Sequence, residues 1–413
     1  MILQKRIRYI VIMIILGVLI TACAARNDSP EGGIVSSEYF SKKENKEEII
    51  DIYEKGYNLP VEAKEQKEAE TDCRKMMEKI RRIYIESDKG TASNVVVSDK
   101  TALTMSKTLE KEGYPICYYN NVGMSNYKKM EKFLEQSSKG QKGNVVFYEI
   151  NSEGGIARNK IIFDGEDAYL LYTDCTWDKD SMPVINETFC NRLKRWEYTK
   201  KGWLSYELCV PEPPEVTEVI DGNCMIRVKP VKKEYREIVE KYLQPIGYQG
   251  NNLFSSNWDK NHLKNLDFNG LYQGLYFIKC QKKLDYTKYP KGIDEKEFEQ
   301  VMMKYLPISS EQLKQWAAYN GKNKKYSYSR LGCLNYTPDE FWTSMPEITK
   351  IVENKDGTTM LIIDAVCERL GNDKIITHKL TVRFLENGGI EYLANQILGE
   401  GLQEIPKYQY RVK

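Results

Sequence analysis

The arrangement in this sequence that is most similar to a catalytic site is a group of acidic side chains. A paired-carboxylate glycosidase holds two carboxyl groups about 5–10 Å apart in a cleft, and a calcium site gathers several oxygen ligands. One stretch is rich in such groups, namely Asp164, Glu166, Asp167, Asp174, Asp178 and Asp180. Asp164 and Glu166 flank a glycine, which favours a solvated hairpin turn, and no D-x-D-x-D-G calcium loop occurs. Carboxylate chemistry through Asp174 and Asp178 therefore stays open as one alternative.

A second candidate is Ser125-Asn126-Tyr127-Lys128, which has the S-x-x-K spacing of penicillin-interacting serine enzymes. The S-D-N and K-T-G motifs that complete such a site are absent from the sequence. Ser125 also stands where a helix cap is expected, so we interpret it as a cap rather than as a nucleophile. No G-x-S-x-G, P-loop or H-E-x-x-H motif occurs either.

Histidine and cysteine narrow the chemistry further. The chain has only two histidines, so a His-rich metal site cannot form, and a histidine-dependent hydrolase would have to use His262 or His378. None of the ten cysteines has C-x-x-C spacing, and we predict no metal and no cofactor. Disulfides stay open for an exported protein. Four cysteines lie in apolar strand-like runs and are expected to be small buried hydrophobes: Cys117, Cys175, Cys209 and Cys367.

Aromatic residues are abundant, with 29 Tyr and 6 Trp. Exposed rings stack on sugars or anchor protein partners, whereas buried rings form cross-strand pairs and core. The candidates for ligand contact are Trp177 near the acidic stretch, Trp196 and Trp203 on one hairpin, and Trp258 in an Asn-rich loop.

The N-terminus carries the clearest chemical signature. Basic residues within 5–8 precede the apolar segment 9–20, which is too short to span a bilayer because a spanning helix needs about 20 residues. Ile20-Thr21-Ala22-Cys23 then resembles the lipobox of bacterial lipoproteins. The resemblance implies cleavage before Cys23, diacylglycerol on its sulfur and a stable anchor of two or more acyl chains.

These features assign residues 1–22 to a lipoprotein signal peptide and residues 23–42 to the lipidated cysteine and a flexible tether. The tether section Asn27–Gly33 contains turn formers and almost no apolar residue. We therefore expect the protein on the outer face of the bacterial cytoplasmic membrane, with the lipid bilayer as its partner through Cys23.

The elements that must position the candidate residues predict two α+β domains. In residues 43–210, apolar positions recur every three to four residues from Ala69 to Tyr84, and short alternating strands with turn sequences follow from Val145 onward. Helices are therefore expected on an antiparallel sheet. Three prolines in 211–214 predict a linker over 211–225. Residues 226–413 then repeat the pattern, with helices first and a final set of strands joined by the Asp356-Gly357 turn.

Several short features carry a family resemblance: Lys111-Glu112-Gly113-Tyr114, Arg227-Val228-Lys229-Pro230, Pro245-Ile246-Gly247-Tyr248 before Asn251-Asn252-Leu253-Phe254, and Asp356-Gly357-Thr358 ahead of His378-Lys379-Leu380-Thr381-Val382-Arg383. On these features, most of the mature chain resembles a family of uncharacterised lipoproteins from clostridia. The family has no assigned activity, so the resemblance implies no functional residue.

Charge and composition bound the function. The chain is 41% apolar and 29% charged with a net charge of +2, so it lacks the basic field that nucleic acid requires. The leading hypothesis is a non-enzymatic lipoprotein that presents a surface to an envelope protein or a cell-wall ligand. A carboxylate-dependent cell-wall hydrolase is the first alternative. A solute-binding lipoprotein of a transporter is the second, although the chain lacks a run of βαβ units.

Overall fold

The computed structural model describes residues 56–89, 96–118, 122–211, 222–332 and 334–412. The predicted signal peptide, Cys23, the tether and most of the predicted linker lie outside these ranges. The chain divides into two compact units, the first ending at Pro230 and the second beginning at Val231. Both units combine helices with antiparallel sheet, which confirms the predicted α+β class.

The first unit places its helices before and between the strands of one sheet. The described helices are α1 (Ala63–Glu86), α2 (Asp99–Leu109) and α3 (Lys128–Ser137). The strands are β1 (Ile116–Tyr118), β2 (Gly143–Ile150), β3 (Ile156–Phe163), β4 (Ala168–Trp177), β5 (Pro183–Tyr198), β6 (Trp203–Leu208) and β7 (Asn223–Arg227). They lie in the sheet in chain order, and every neighbouring pair is antiparallel except β1 and β2.

The predicted start of the second domain at residue 226 lies inside the first unit. Residues 223–227 form β7, which pairs with β6, and Ile226 belongs to the same core as Leu204. The strand stays with the first sheet because its apolar positions alternate and bury one face there. The proline-rich sequence therefore connects two strands of one unit rather than two domains.

A short segment after β1 closes this sheet on itself. Ser125 exchanges two backbone hydrogen bonds with Ile116 of β1, and the Met124 N–H donates to the Val228 carbonyl beyond β7 at 3.2 Å. The approach requires glycine at 123, because its φ is +130° and a Cβ there would lie 2.4 Å from Pro230 Cα. The first unit is thus a closed, barrel-like sheet with an inside and an outside.

Each side of the closed sheet has its own apolar core. The inside is filled by alternate strand residues and closed at one end by α3, whose Met130, Phe133 and Leu134 join the core. On the outside, α1 and α2 pack against the sheet. The stripe predicted for α1 is confirmed, because its buried residues are Ala69, Cys73, Met76, Met77, Ile80 and Tyr84.

The second unit has two sheets. Its helices are α4 (Lys233–Ile238), which continues into a π-helical turn over Val239–Leu243, α5 (Phe268–Cys280), α6 (Glu295–Tyr305) and α7 (Ser310–Trp316). A small sheet has the order β8-β10-β9, formed by β8 (Ile293–Asp294), β9 (Tyr319–Asn320) and β10 (Lys325–Tyr326). The four-stranded antiparallel meander consists of β11 (Met345–Glu353), β12 (Thr359–Val366), β13 (Thr377–Phe384) and β14 (Ile390–Ile397).

Part of the tyrosine surplus is explained by packing in the second unit. Phe298 of α6 stacks between Tyr272 and Tyr326, with ring centroids 5.1 Å and 4.2 Å away. The two hydroxyls then donate to carboxylates of the same helix, Tyr272 to Glu297 and Tyr326 to Glu299. Because the hydroxyl of a buried tyrosine needs a hydrogen-bond partner, α6 supplies both the apolar and the polar contact.

Within the described ranges, every helix is too short or too polar to cross a membrane.

Candidate functional site

Two of the four candidate tryptophans are buried. Trp203 and Trp258 are each only 3% exposed, so neither ring is open to a ligand. The Trp258 indole N–H donates to the Leu253 carbonyl at 2.7 Å, and its backbone pairs with Asn395 of β14. The Asn-rich loop that was expected to present Trp258 instead folds this ring into the core, because burial of the indole removes a large apolar surface from water.

The other two tryptophans are partly buried and do not converge on one site. Trp177 stacks on Tyr84 of α1 at 4.7 Å and donates its indole N–H to the Gly154 carbonyl at 2.8 Å. Trp196 packs edge-on against Phe163 on the inside of the closed sheet, with centroids 6.0 Å apart. Their partners lie on opposite sides of the sheet, so the four candidate rings do not share one surface.

Ser125 is neither a helix cap nor an activated nucleophile. Its backbone closes the sheet, and α3 begins at Lys128 without a side-chain cap. The Ser125 hydroxyl donates to Glu110 Oε2 at 2.9 Å. The interpretation as a cap was wrong because the tertiary pairing with β1 sets the backbone at this point.

The acidic stretch separates into turn residues and one interior residue. Asp164 Oδ1 accepts backbone N–H bonds from Glu166 and Asp167 at 2.9 Å and 2.8 Å, which lowers the pKa of that carboxyl. Asp178 Oδ1 accepts the N–H groups of Asp180 and Met182 in the β4–β5 turn. Asp178 is therefore a turn-forming residue, and the hydrolase pair of Asp174 with Asp178 is not formed.

Asp174 instead belongs to a row of carboxylates that crosses four strands. In the sheet register, Glu149 of β2 lies opposite Ala157 of β3, Ala157 lies opposite Asp174 of β4, and Asp174 lies opposite Glu187 of β5. Neighbouring strands are about 4.8 Å apart, so Asp174 is one strand from Glu187 and two strands from Glu149. We call Glu149, Asp174 and Glu187 the carboxylate row.

The carboxylate row faces the inside of the closed sheet. Phe147 precedes Glu149 by two residues and lies in the interior core, and Tyr172 precedes Asp174 by two residues and packs against the same core. Because strand side chains alternate, residues two positions apart share a face. The row lies towards the end of the sheet opposite α3.

Burial perturbs Asp174 and Glu187, and the charge of Asp174 adds to the effect on Glu187. Asp174 is 8% exposed, and its Oδ2 accepts a hydrogen bond from Asn186 Nδ2 at 2.6 Å. Desolvation raises the pKa of Asp174, with a further contribution from the charge of Glu153. Desolvation and the charge of Asp174 raise the pKa of Glu187 to about 7. No basic side chain opposes either shift, and neither acid forms an ion pair within the described ranges.

An amide and an aromatic pair border the row. Tyr172 stacks on Phe189 with centroids 4.9 Å apart, and both rings are partly exposed. Asn159 lies between Phe147 and Tyr172 in the adjacent row and is 2% exposed. Its Nδ2 lies 3.5 Å from the Ala157 carbonyl oxygen.

Sequence reasoning missed Glu149, Asn159 and Glu187. Glu149 and Asn159 interrupt otherwise apolar alternation on their strands, and such interruptions are the signal that points to them. Glu187 lies in a polar stretch that shows no strand pattern, yet β5 extends through it to Pro183.

Both histidines lie in the second unit and have defined partners. His378 is fully buried, with Nδ1 2.6 Å from Asn395 Oδ1 and Nε2 2.9 Å from the Tyr248 hydroxyl. Burial lowers its pKa to about 4. His262 is exposed, and its Nδ1 lies 2.8 Å from Asp259 Oδ1 in a local turn. Neither arrangement offers a histidine base beside a nucleophile.

The cavities and the metal-ligating side chains of the described residues do not indicate another site. The two best-formed cavities have volumes of about 10 Å³ each, space for about one water; one is next to Ser137 and Trp196, the other next to Tyr336 and Tyr408. No group of three or more His, Cys, Asp or Glu side chains in the described ranges is arranged to hold a metal.

The predicted burial of four cysteines is confirmed, and burial raises the pKa of Cys117 and Cys175.

One comparison with known proteins gives a match. A model described as "Family of unknown function (DUF6070)" matches residues 66–411. The chain belongs to the DUF6070 family. No curated protein and no solved structure matches it.

The DUF6070 match spans both units and includes the carboxylate row. It agrees with the resemblance to an uncharacterised family, and it assigns no activity. The function of this DUF6070 protein must therefore be argued from its own residues.

Proposed function

We propose that the protein is a lipoprotein, held on the outer face of the cytoplasmic membrane by acylated Cys23, whose first unit binds a cell-envelope ligand at the carboxylate row. The observation that carries the binding role is the alignment of Glu149, Asp174 and Glu187 on the inner face of one sheet. The lipobox resemblance of Ile20–Cys23 supports the anchor.

The energetics of the row support a role beyond folding. A buried carboxylate without a cation costs free energy, and apolar residues of similar volume commonly stabilise such positions better. Perturbed acids that face one another in a sheet interior are accordingly typical of functional sites. Glu149 and Glu187 are partly exposed, so a ligand can approach them while Asp174 lies between them.

Binding to purified cell wall tests this role. The full chain in detergent is mixed with sedimented wall, and the bound fraction is measured against wall concentration. We expect the double substitution Asp174→Asn with Glu187→Gln to weaken binding at least tenfold. The control is Glu197→Gln, an exposed acid on the same strand β5. Equal binding by the double variant and the wild type would refute the role of the row.

The anchor is tested separately. Cells that express the protein are fed labelled fatty acid, and the label on the wild type is compared with that on Cys23→Ala. We expect the wild type to carry the label and to fractionate with the membrane, and Cys23→Ala to do neither. Label retained by Cys23→Ala would overturn the anchor.

A specific observation also favours a second function, hydrolysis of the wall. Directly opposed residues of an antiparallel pair have Cβ atoms about 5 Å apart, close to the carboxyl separation in retaining glycosidases. Glu187, with its pKa raised to about 7, would be the acid and Asp174 the nucleophile. Purified peptidoglycan should then release soluble fragments with the wild type and none with Glu187→Gln. No release by the wild type excludes this function.

A further inference from the structure

The second unit concentrates positive charge in two segments, residues 281–294 and 320–330. Together they contain eight basic side chains and two acidic ones, whereas the whole chain has a net charge of +2. The first segment contributes four exposed lysines, Lys282, Lys283, Lys288 and Lys291. The second contributes the exposed Lys322, Lys324 and Arg330 and the half-buried Lys325. Charge that nearly balances over the chain is therefore segregated in these two segments.

The two segments lie side by side and run in opposite directions. At one end, the Arg330 guanidinium stacks on the Tyr286 ring 4.3 Å from its centroid, and Nη1 donates to the Tyr286 hydroxyl at 2.8 Å. Towards the other end, β8 pairs with β10, so that Asp294 lies opposite Lys325. We call these two segments together the basic ribbon.

Most basic side chains of the ribbon form no ion pair. Its two acids each have one lysine, with Asp285 3.6 Å from Lys288 and Asp294 3.2 Å from Lys325. Five lysines form no ion pair with any described residue, namely Lys282, Lys283, Lys291, Lys322 and Lys324. Their charges are thus available to a partner in solution.

The acids of the adjacent helix α6 are engaged elsewhere. Glu295 and Glu299 both lie within ion-pair distance of Lys314, at 2.8 Å and 3.8 Å. The Tyr319 hydroxyl also donates to Glu295, and the Tyr326 hydroxyl donates to Glu299. The charge of Lys324 acts on Glu295 without an ion pair between them. These carboxylates therefore do not cancel the charge of the ribbon.

The spacing of the free lysines fits a linear polyanion. Lys288 and Lys291 are three residues apart and Lys322 and Lys324 two, so their Cα atoms are separated by at most about 11 Å and 7 Å. Successive charges of a polymer with one phosphate per repeat have comparable separations. Ammonium groups bind phosphate as point charges, and the guanidinium of Arg330 adds a planar set of donors.

A bilayer surface fits the ribbon less well. Binding at a bilayer surface combines charge with apolar side chains that enter the acyl boundary. Within the ribbon, Tyr286 is the one large hydrophobic side chain that is exposed, and its ring is already stacked with Arg330. The attraction is therefore electrostatic, which favours a soluble or wall-linked polymer over lipid.

We propose that the basic ribbon binds a linear phosphodiester polymer of the cell envelope. The inference rests on the proposed place of the protein at the envelope, and it goes beyond the carboxylate row because the ribbon belongs to the other unit. Phosphate oxygens accept N–H bonds from the free lysines and from Arg330. No covalent bond is made or broken, and the polymer releases counterions, so affinity decreases as salt increases.

Removal of phosphodiesters from purified wall tests the inference. One half of the wall is treated with cold hydrofluoric acid, which cleaves phosphodiesters and leaves the glycan strands and peptides. The full chain in detergent is then sedimented with each half. We expect the treatment to weaken binding at least tenfold, and soluble inorganic polyphosphate to displace the protein from untreated wall. The double variant Asp174→Asn with Glu187→Gln should retain the difference between the two halves.

A charge-neutralised variant assigns the binding to the ribbon. Lys291→Gln, Lys322→Gln and Lys324→Gln are combined, and binding to untreated wall is measured over a series of salt concentrations. Loss of three phosphate contacts should lower the slope of log affinity against log salt by about 2. The control changes three exposed lysines of the four-stranded meander to Gln, which alters the net charge equally: Lys350, Lys355 and Lys374.

The outcomes separate this inference from the role of the row. Equal binding of the wild type to treated and untreated wall overturns the polymer inference and leaves the role of the row intact. Binding to neither half overturns both. Equal weakening by the two triple variants would refute the ribbon as the binding surface. Displacement by phosphatidylglycerol added to the detergent micelles, with none by polyphosphate, would assign the ribbon to a bilayer and overturn the polymer.

Discussion

Glu187 lies directly opposite Asp174 in the antiparallel ladder between β4 and β5. Two carboxyl groups at this spacing cannot both ionise without repulsion, and burial adds to the cost. The charge of Asp174 therefore raises the pKa of Glu187, which links the pH of the medium to the stability and the charge of the first unit.

We expect Glu187 to make the protein less stable as pH rises. The pKa of Glu187 is raised from 4.5 to about 7 in the folded chain, so the folded state binds more protons than the unfolded state between these values. The free energy of unfolding then falls as pH rises through this window. Because Glu187 is partly exposed, we expect a loss of about 1 kcal/mol relative to Glu187→Gln. Urea unfolding at pH 5 and pH 8 measures it, with Glu197→Gln as control, and parallel curves for Glu187→Gln and wild type would contradict it.

The substitution Asp174→Asn should lower the pKa of Glu187. It removes the neighbouring charge while preserving an acceptor for the hydrogen bond from Asn186. Carbon-13 NMR of labelled glutamate carboxyl groups follows the titration of Glu187 in both proteins. Desolvation stays in place, so the pKa should fall part of the way towards its ordinary range. An unchanged titration would show that the two side chains do not interact.

His378 should stabilise the second unit through both ring nitrogens. His378→Leu leaves the Tyr248 hydroxyl and the Asn395 amide without these partners in a buried site. Loss of buried hydrogen-bond partners costs about 2–4 kcal/mol in total, which urea unfolding at pH 7 detects. The matched control is His262→Leu, because His262 is exposed and bonds only within its own turn. Equal destabilisation by the two substitutions would contradict this role.

We expect His378 to make the protein less stable as pH falls, which is the opposite direction to the effect of Glu187. Its pKa is lowered from 6.5 to about 4 by burial, so between these values the unfolded state binds more protons. Stability is therefore complete above pH 6.5 and decreases as pH falls towards 4, by up to about 3 kcal/mol. His378→Leu should lack this decrease. A wild-type stability that is flat between pH 6.5 and 4, relative to His378→Leu, would refute the prediction.

Asp267 should hold the C-terminal segment on the second unit. Its Oδ1 accepts the Gly270 N–H at the start of α5, and its Oδ2 accepts the Tyr408 hydroxyl and the Arg411 N–H. Asp267→Ala removes these bonds and an acid beside the buried Arg411, so we expect a loss of about 3 kcal/mol.

Limited proteolysis tests how the same substitution affects the C-terminal segment. Cleavage within residues 404–412 should accelerate in Asp267→Ala and stay at the wild-type rate in Asp285→Ala, which removes an exposed cap of a short turn. Cleavage at the wild-type rate in Asp267→Ala would show that other contacts hold the segment.

Much of the architecture follows from local patterns. The stripe along α1, the alternating strands β2, β3 and β12 to β14, and the Asp356-Gly357 turn have the periods and turn residues that their structures require. The extension of β5 through 183–194 was not predicted, because its first half is polar and shows no alternation. Pairing with β4 imposes the strand there, so tertiary context overrides weak local preference.

The amino-acid sequence by itself determined the α+β class, the positions of most helices and strands, and the expectation of a lipid anchor at Cys23. It could not determine the carboxylate row, because Glu149, Asp174 and Glu187 come from three strands and meet only through the hydrogen-bonded register of the folded sheet. Nor could it determine that Trp203 and Trp258 are buried or that β7 belongs to the first unit. The two-residue alternation of side chains shows which residues share a face of one strand. Only closure of the sheet decides which faces of different strands enclose a common interior.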